Sequence, residues 1–302
     1  MARTRRPRLA AVAAVAALCG LAPTACGGEA PGEVVARTQD NLARIRSGDL
    51  DAKLVIAAEG PKRTGATGFE LRGPFELARS AGDLPKARIA YTQIAGSRRA
   101  TVTLVSTGER AYIEVRGKAY ELTSDQERQL REAGGPLGGG SGSGTGGATA
   151  SPTGSLDLAA WLREPDLSAG ERIGGAETDR VTGEVDVARV VTDVLGAAER
   201  LGVSGEAVGG GALRGAGDER LDRALAASSI ELLTGREDRL LRRLQLGIKL
   251  DAKAAAGGGA SLGDVEAVRV DLELAIERPN TPVRVDAPRD ARPASELSSS
   301  SG

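Results

Sequence analysis

Side chains able to do chemistry are scarce in this 302-residue chain, and their scarcity narrows the function before any fold is considered. There is no His, which removes the commonest general base and metal ligand. The usual nucleophile–His–carboxylate triads and zinc sites therefore have no counterpart. Carboxylates remain: Glu70 and Glu76 lie in one alternating segment and would make a hydrolase if they acted as acid and base. Against that reading stands their place on the polar side of the segment, where charges are solvated. Gly209-Gly210-Gly211 carries no Lys-Ser or Lys-Thr and follows no apolar strand, so it does not read as a phosphate cradle. Aromatic residues make up 2% of the chain, too few for stacking platforms that hold sugars or bases. The net charge of −1, with Arg dispersed among Asp and Glu, lacks the basic excess that nucleic acid requires. No cofactor, no metal and no catalytic residue is expected.

The remaining reactive side chains are Cys19 and Cys26, so the chain beyond them can form no intramolecular disulfide. The segment they sit in reads as an export signal. Arg3, Arg5, Arg6 and Arg8 form a positive start, and residues 9–21 form an apolar run too short to span a bilayer. Arg5-Arg6 after Thr4 also weakly resembles a twin-arginine signal, and a plain basic start explains it equally well. Leu21-Ala22-Pro23-Thr24-Ala25-Cys26-Gly27-Gly28 resembles a bacterial lipobox, with Pro23 in place of the usual Leu. That resemblance implies removal of residues 1–25 and acylation of Cys26, which would anchor the protein to the outer face of the cytoplasmic membrane. Secretion after simple cleavage behind Ala25 is the alternative. Cys19 fits the pattern less well, because Leu18 precedes it where a small residue is needed. Firm anchoring takes two or more acyl chains, and residues 26–32 would form a short tether.

What the rest of the chain must position is one apolar face. In residues 50–59 positions 50, 52, 54, 56 and 58 are apolar while 51, 53 and 59 are charged, the period of two that marks a half-buried strand. The pattern recurs in 69–77, less regularly in 88–94, and again in 100–105 and 111–115. Short polar connections favour an antiparallel meander, since parallel pairing needs long crossovers. Residues 112–122 read as a hairpin about Arg116-Gly117. Two long segments near the end, 240–250 and 268–276, alternate in the same way and predict a second hairpin of strands long enough to suggest a wide, curved sheet.

Helices fill the intervals. Residues 33–45 place Val34, Val35, Thr38, Leu42 and Ile45 at helical spacing. A short helix follows residue 123, capped through Thr123 and Gln126 or through Ser124 and Glu127. Residues 156–162 read as a short helix ending before Pro165, with Trp161, the only Trp, as a packing anchor. Residues 171–185 read as a strand pair or one long strand. Asp186 then caps a helix with an apolar stripe of Val187, Val191, Val194, Ala198 and Leu201, and a short helix spans 218–227. Residues 134–155 are almost wholly Gly, Ser, Thr, Ala and Pro, an insertion that cannot offset its ordering entropy by burial. It reads as a tolerated surface insertion or as a hinge. From residue 286 the chain is polar and reads as a disordered tail to 302.

This succession resembles the LolA-like lipoproteins, in particular the LppX and LprG group of actinobacterial envelopes, over residues 33–285. The segments that carry the resemblance most closely are Arg110-Ala111-Tyr112-Ile113-Glu114-Val115-Arg116-Gly117-Lys118-Ala119-Tyr120-Glu121-Leu122 and Ile173-Gly174-Gly175-Ala176-Glu177-Thr178-Asp179-Arg180-Val181-Thr182-Gly183-Glu184-Val185-Asp186. The resemblance implies an α+β fold, a curved antiparallel β half-barrel with helices packed in its concave side. It also implies a cavity for the acyl chains of a lipid or glycolipid, carried or presented in the cell envelope. The residues expected to line that cavity are Leu54, Ile56, Phe69, Leu71, Phe75, Ile89, Tyr91, Val102, Leu104, Ile113, Leu246, Ile248, Leu272 and Leu274. By residue chemistry alone the same face would equally serve as a filled core. A sensor lipoprotein acting through protein contacts, without cargo, is the alternative function.

Overall fold

The computed structural model describes residues 29–61, 65–80, 82–132, 157–200, 217–256 and 265–296. The export signal 1–25, Cys26, the first part of the tether, the insertion 134–155, the Gly-rich stretch 205–216, the 257–259 loop and residues 297–302 lie outside the described residues.

The period of two expected from residue 50 onward is the burial pattern observed. In β1 (Ser47–Glu59) Leu50, Leu54, Ile56 and Ala58 are buried, while their odd-numbered neighbours Asp51, Lys53, Val55 and Ala57 are exposed or half-buried. The meander continues through β2 (Gly65–Glu76), β3 (Lys86–Ala95), β4 (Arg98–Thr107), β5 (Ala111–Val115) and β6 (Lys118–Glu121), each antiparallel to the one before. The β5–β6 turn takes φ of 50° at Arg116 and 75° at Gly117. Two positive values of this kind match the right-handed twist of the flanking strands in a two-residue hairpin. The second half contributes β7 (Leu162–Ala169), β8 (Thr178–Val185), β9 (Leu225–Gly235), β10 (Leu241–Asp251) and β11 (Ala267–Glu277), again antiparallel in sequence.

β11 closes onto β1, with Leu272 opposite Leu54 and Val270 opposite Ile56. The first and last strands of the main domain thus join the two meanders into one sheet, twelve strands among the described residues, ordered β12-β6-β5-β4-β3-β2-β1-β11-β10-β9-β8-β7. Its two ends do not pair with each other, so the sheet is an open half-barrel. A twisted sheet of this width must curl, and the helices sit on one of its faces.

Those helices are α1 (Pro31–Asn41), α2 (Ser124–Glu132), α3 (Leu158–Trp161), α4 (Val187–Arg200), α5 (Asp218–Ala224) and α6 (Ala252–Ala256). Pro31 occupies the first turn of α1, where its missing N–H costs nothing. At α2 the Gln126 N–H donates to Thr123 Oγ1 at 3.3 Å and the Thr123 N–H to Gln126 Oε1 at 2.9 Å, which selects Thr123 as the cap. Asp186 caps α4, accepting from the Arg189 N–H at 3.1 Å. Val187, Val190, Val191, Val194 and Leu195 of α4, Leu158 and Trp161 of α3, and Val34 and Val35 of α1 share one core with the even-numbered side chains of β1, β10 and β11. The Trp161 indole N–H donates to Asp193 Oδ2 at 2.9 Å, so the fully buried ring has its single donor satisfied.

Four segments differ from expectation. Pro165, read as the stop of a helix, lies inside strand β7. β7 is the last strand of the sheet, where a residue without an N–H is tolerated, and a bulge between Arg163 and Asp166 absorbs it. β9 begins at Leu225, so the helix before it is shorter than the expected 218–227. The tail expected to be disordered from residue 286 instead runs beside β6 as β12 (Arg292–Pro293), with Arg292 opposite Tyr120 and Pro293 opposite Glu121. An edge strand offers free backbone groups, and a short polar segment is enough to cover them. The last residues of the tether are likewise structured: Glu29 is ion-paired, and α1 begins at Pro31.

Candidate functional site

The register of the sheet brings all fourteen expected lining residues to one face. Leu54 stands opposite Phe69 on one side and Leu272 on the other, and Leu272 opposite Leu246. Ile56 and Ile248 flank Val270. Leu274, Ala52, Leu71, Tyr91 and Val102 follow one another across five strands. Ile89, Leu104 and Ile113 form the next row, and Phe75 shares the face opposite Ala87.

Val181, Leu232, Leu244, Leu274, Ala52, Leu71, Tyr91, Val102 and Val115 contribute one side chain each from β8, β9, β10, β11, β1, β2, β3, β4 and β5. At about 4.8 Å between strands, this row makes an apolar floor about 38 Å long. It carries no charge until Lys118 of β6.

The floor is not covered evenly. Leu54, Ile56, Phe69, Leu71, Phe75, Ile89, Leu246, Ile248 and Leu274 are buried, none more than 8% exposed. Tyr91, Val102, Leu104, Ile113 and Leu272 are half-buried, as is Ala52. Most of the half-buried group lies together on β3, β4 and β5, away from the core shared with α3 and α4. There Leu104 and Ile113 pack with Leu130 of α2 against a small cluster of Leu84, Ala111 and Leu122. Tyr91 stacks on Phe69 with ring centroids 6.4 Å apart, and burial pushes its hydroxyl above the ordinary tyrosine value. A tyrosine so placed stays neutral across the physiological range and offers an apolar ring with one polar tip.

The carboxylates weighed as a catalytic pair sit on the opposite face. Glu70 pairs with Arg99 at 3.2 Å, and Glu76 with Arg79 at 3.4 Å and Lys86 at 3.8 Å. Six residues of strand separate them by about 20 Å, beyond the reach of two carboxylates acting on one bond. Cys26, the expected acylation site, lies outside the described residues.

Sequence reasoning missed a charged cluster that fixes the start of the domain. Arg239, in the β9–β10 turn with φ of 52°, holds Glu29 at 2.7 Å and also pairs with Asp179. Glu29 pairs in turn with Arg37 of α1 at 2.9 Å, and Asp179 with Arg236 at 2.9 Å. Burial favours the neutral form of Asp179, but Arg239 and Arg236 outweigh it and hold its carboxyl below the usual carboxylate range. Locally the sequence shows only the Glu29–Arg37 and Arg236–Arg239 spacings; Asp179 lies 57 and 60 positions from Arg236 and Arg239, and Arg239 lies 210 from Glu29.

No family model matches this chain, and no curated protein matches it. Among solved structures, LprF from Mycobacterium bovis is 10% identical, with 85% of this chain and 96% of that chain covered and a TM-score of 0.39. The Mycobacterium tuberculosis lipoprotein LppX is 14% identical, with 85% and 98% covered and a TM-score of 0.34. A domain described as an outer membrane lipoprotein-sorting protein from Vibrio parahaemolyticus is 8% identical, with 84% and 95% covered and a TM-score of 0.22.

Proposed function

We propose that this chain is an extracytoplasmic lipoprotein, anchored through acylated Cys26, whose apolar sheet face takes the acyl chains of a lipid or glycolipid and carries or presents them in the cell envelope. The observation that carries the reading is the uncharged row from Val181 to Val115, part of it incompletely covered by protein. A bilayer's hydrocarbon core is about 30 Å thick, or about 15 Å per acyl chain, so the floor is long enough for a chain with room to spare. Each CH2 moved out of water contributes about 0.8 kcal/mol. A long chain therefore gains on the order of 10 kcal/mol before ordering and association costs, without any polar recognition. The sequence resemblance to the LolA-like lipoproteins supports the same reading from an independent direction.

The test is mass spectrometry under non-denaturing conditions on the chain from residue 26 with Cys26→Ser, purified without detergent from a lipid-containing host. Removing the anchor makes any lipid found a cargo. Defined acyl-lipid masses that leave on unfolding are the expected result. A folded chain that arrives clean and takes up no fluorescent fatty acid would overturn the proposal and leave the face as a filled core.

A further inference from the structure

A recess lies at one end of the sheet, where the turn Leu42–Arg44, the start of β1, the end of β2 and the 279–282 turn meet. It is a cleft of about 480 Å³, lined among others by Arg44, Arg46, Arg79, Glu76, Leu77 and Pro282. Three of these carry positive charge and one negative. The single carboxylate is already engaged: Glu76 Oε1 lies between Arg79 and Lys86, and Oε2 accepts the Val283 N–H at 3.2 Å. Arg46 donates from one guanidinium nitrogen to the Ala78 carbonyl and has no carboxylate partner among the described residues. Arg44 has neither hydrogen bond nor ion pair among them, although both side chains are exposed and line the same cleft. Arginines left without carboxylates in a concave site are suited to a bidentate oxyanion. The cleft also touches the apolar face, because Leu77 in its wall packs against the core that contains Phe75, Leu42 and Ile45.

We infer that this cleft binds a phosphate-type anion carried on a lipid headgroup, with Arg44 and Arg46 on the anion and Leu77 leading the attached chains toward the sheet face. This rests on the acyl-chain reading above and narrows its cargo to anionic lipids.

The experiment measures calorimetric binding of three probes to the Cys26→Ser chain below their micelle concentrations: short-chain phosphatidic acid, diacylglycerol of the same chain length, and inorganic phosphate. The variants are Arg44→Gln, Arg46→Gln and, at the start of β4 outside the cleft, Arg98→Gln. Phosphatidic acid should bind about tenfold tighter than diacylglycerol. Arg44→Gln and Arg46→Gln should each erase most of that preference, leaving diacylglycerol binding and the Arg98→Gln control unchanged. Inorganic phosphate should bind weakly and through the same two arginines. If both lipids bind equally in every variant, the cleft proposal falls and the acyl-chain reading stands. If phosphate binds as tightly as phosphatidic acid and diacylglycerol not at all, the site takes free anions, and both the headgroup assignment and the acyl-chain reading fail.

Discussion

The Thr38 hydroxyl donates to the Thr234 hydroxyl at 2.9 Å, with both side chains completely buried. Thr38 is on α1 and Thr234 on β9, and the Thr234 hydroxyl lies 3.3 Å from the Leu240 carbonyl, to which it donates. This short chain of bonds fastens the first helix to the far half of the sheet. The Thr38 hydroxyl also has the Val34 carbonyl as an acceptor at 2.8 Å, so each threonine keeps a backbone partner when the other is removed.

Thr38→Val should destabilise the domain by about 1 kcal/mol, the net worth of a hydrogen bond, and Thr234→Val by a similar amount. The double variant should lose less than the sum, because each single variant already removes the one bond the two hydroxyls share. Urea unfolding of the four chains checks this. Strict additivity would mean that the two hydroxyls are not coupled.

Asp179 gives the cluster around Arg239 a pH dependence. Its folded pKa lies below the ordinary value of 3.8, so its contribution is fully present above that value and is lost as pH falls through the folded one. Asp179→Asn should cost about 2 kcal/mol at pH 7, since it leaves Arg239 and Arg236 without their shared carboxylate. The gap between variant and wild type should narrow as pH falls below 3.8. Denaturation midpoints of both chains at pH 7, 4 and 2 measure it, and a gap that persists undiminished at pH 2 would show that the cluster acts through packing alone.

Trp161 is the only Trp and is fully buried, so its fluorescence reports the helix core without labelling. Trp161→Phe should lower stability by roughly 2 kcal/mol, through the lost ring volume and the lost hydrogen bond to Asp193 Oδ2, which keeps only Arg189 at 3.7 Å. Adding Asp193→Ala to Trp161→Phe should cost less than Asp193→Ala does alone, as thermal unfolding of the single and double variants would show.

How legible all this was in the sequence depended on how local each cause is. The first meander could be read because each strand alternates on its own and each connection is short. The Arg116-Gly117 turn added a local signal with a mechanism. β9 was not legible: Ala226, Ala227, Ser228 and Ser229 are small, exposed and without alternation, while Leu232, Leu233, Thr234 and Gly235 are buried on both faces. Neither half shows a period of two. β7 was hidden by Pro165, whose meaning changes with its place at the sheet's end. The site followed the same division. Even-numbered residues of β1 could be assigned to one face from their own strand, whereas the alignment of Val181 with Val115 across nine strands follows from register, which long-range pairing sets. The Arg239 cluster and the cleft at Arg44 and Arg46 are products of the fold alone.

The half-buried part of the floor offers a variant that separates function from stability. Val102 on β4 stands opposite Tyr91 and Val115, all three on the incompletely covered stretch. A carboxylate there can still reach water, so Val102→Asp should cost roughly 1 kcal/mol and leave the chain folded. It would, however, put a charge in the middle of an otherwise apolar row, where an acyl chain could bind only by desolvating it. Lipid recovered per folded chain should drop about tenfold, since the penalty of about 1.4 kcal/mol or more acts on binding directly. Ala57→Asp, half-buried on the opposite face beside Arg269, is the control and should retain its lipid. Equal retention by both variants would remove β4 from the binding surface and confine any cargo to the region over β10, β11 and β1.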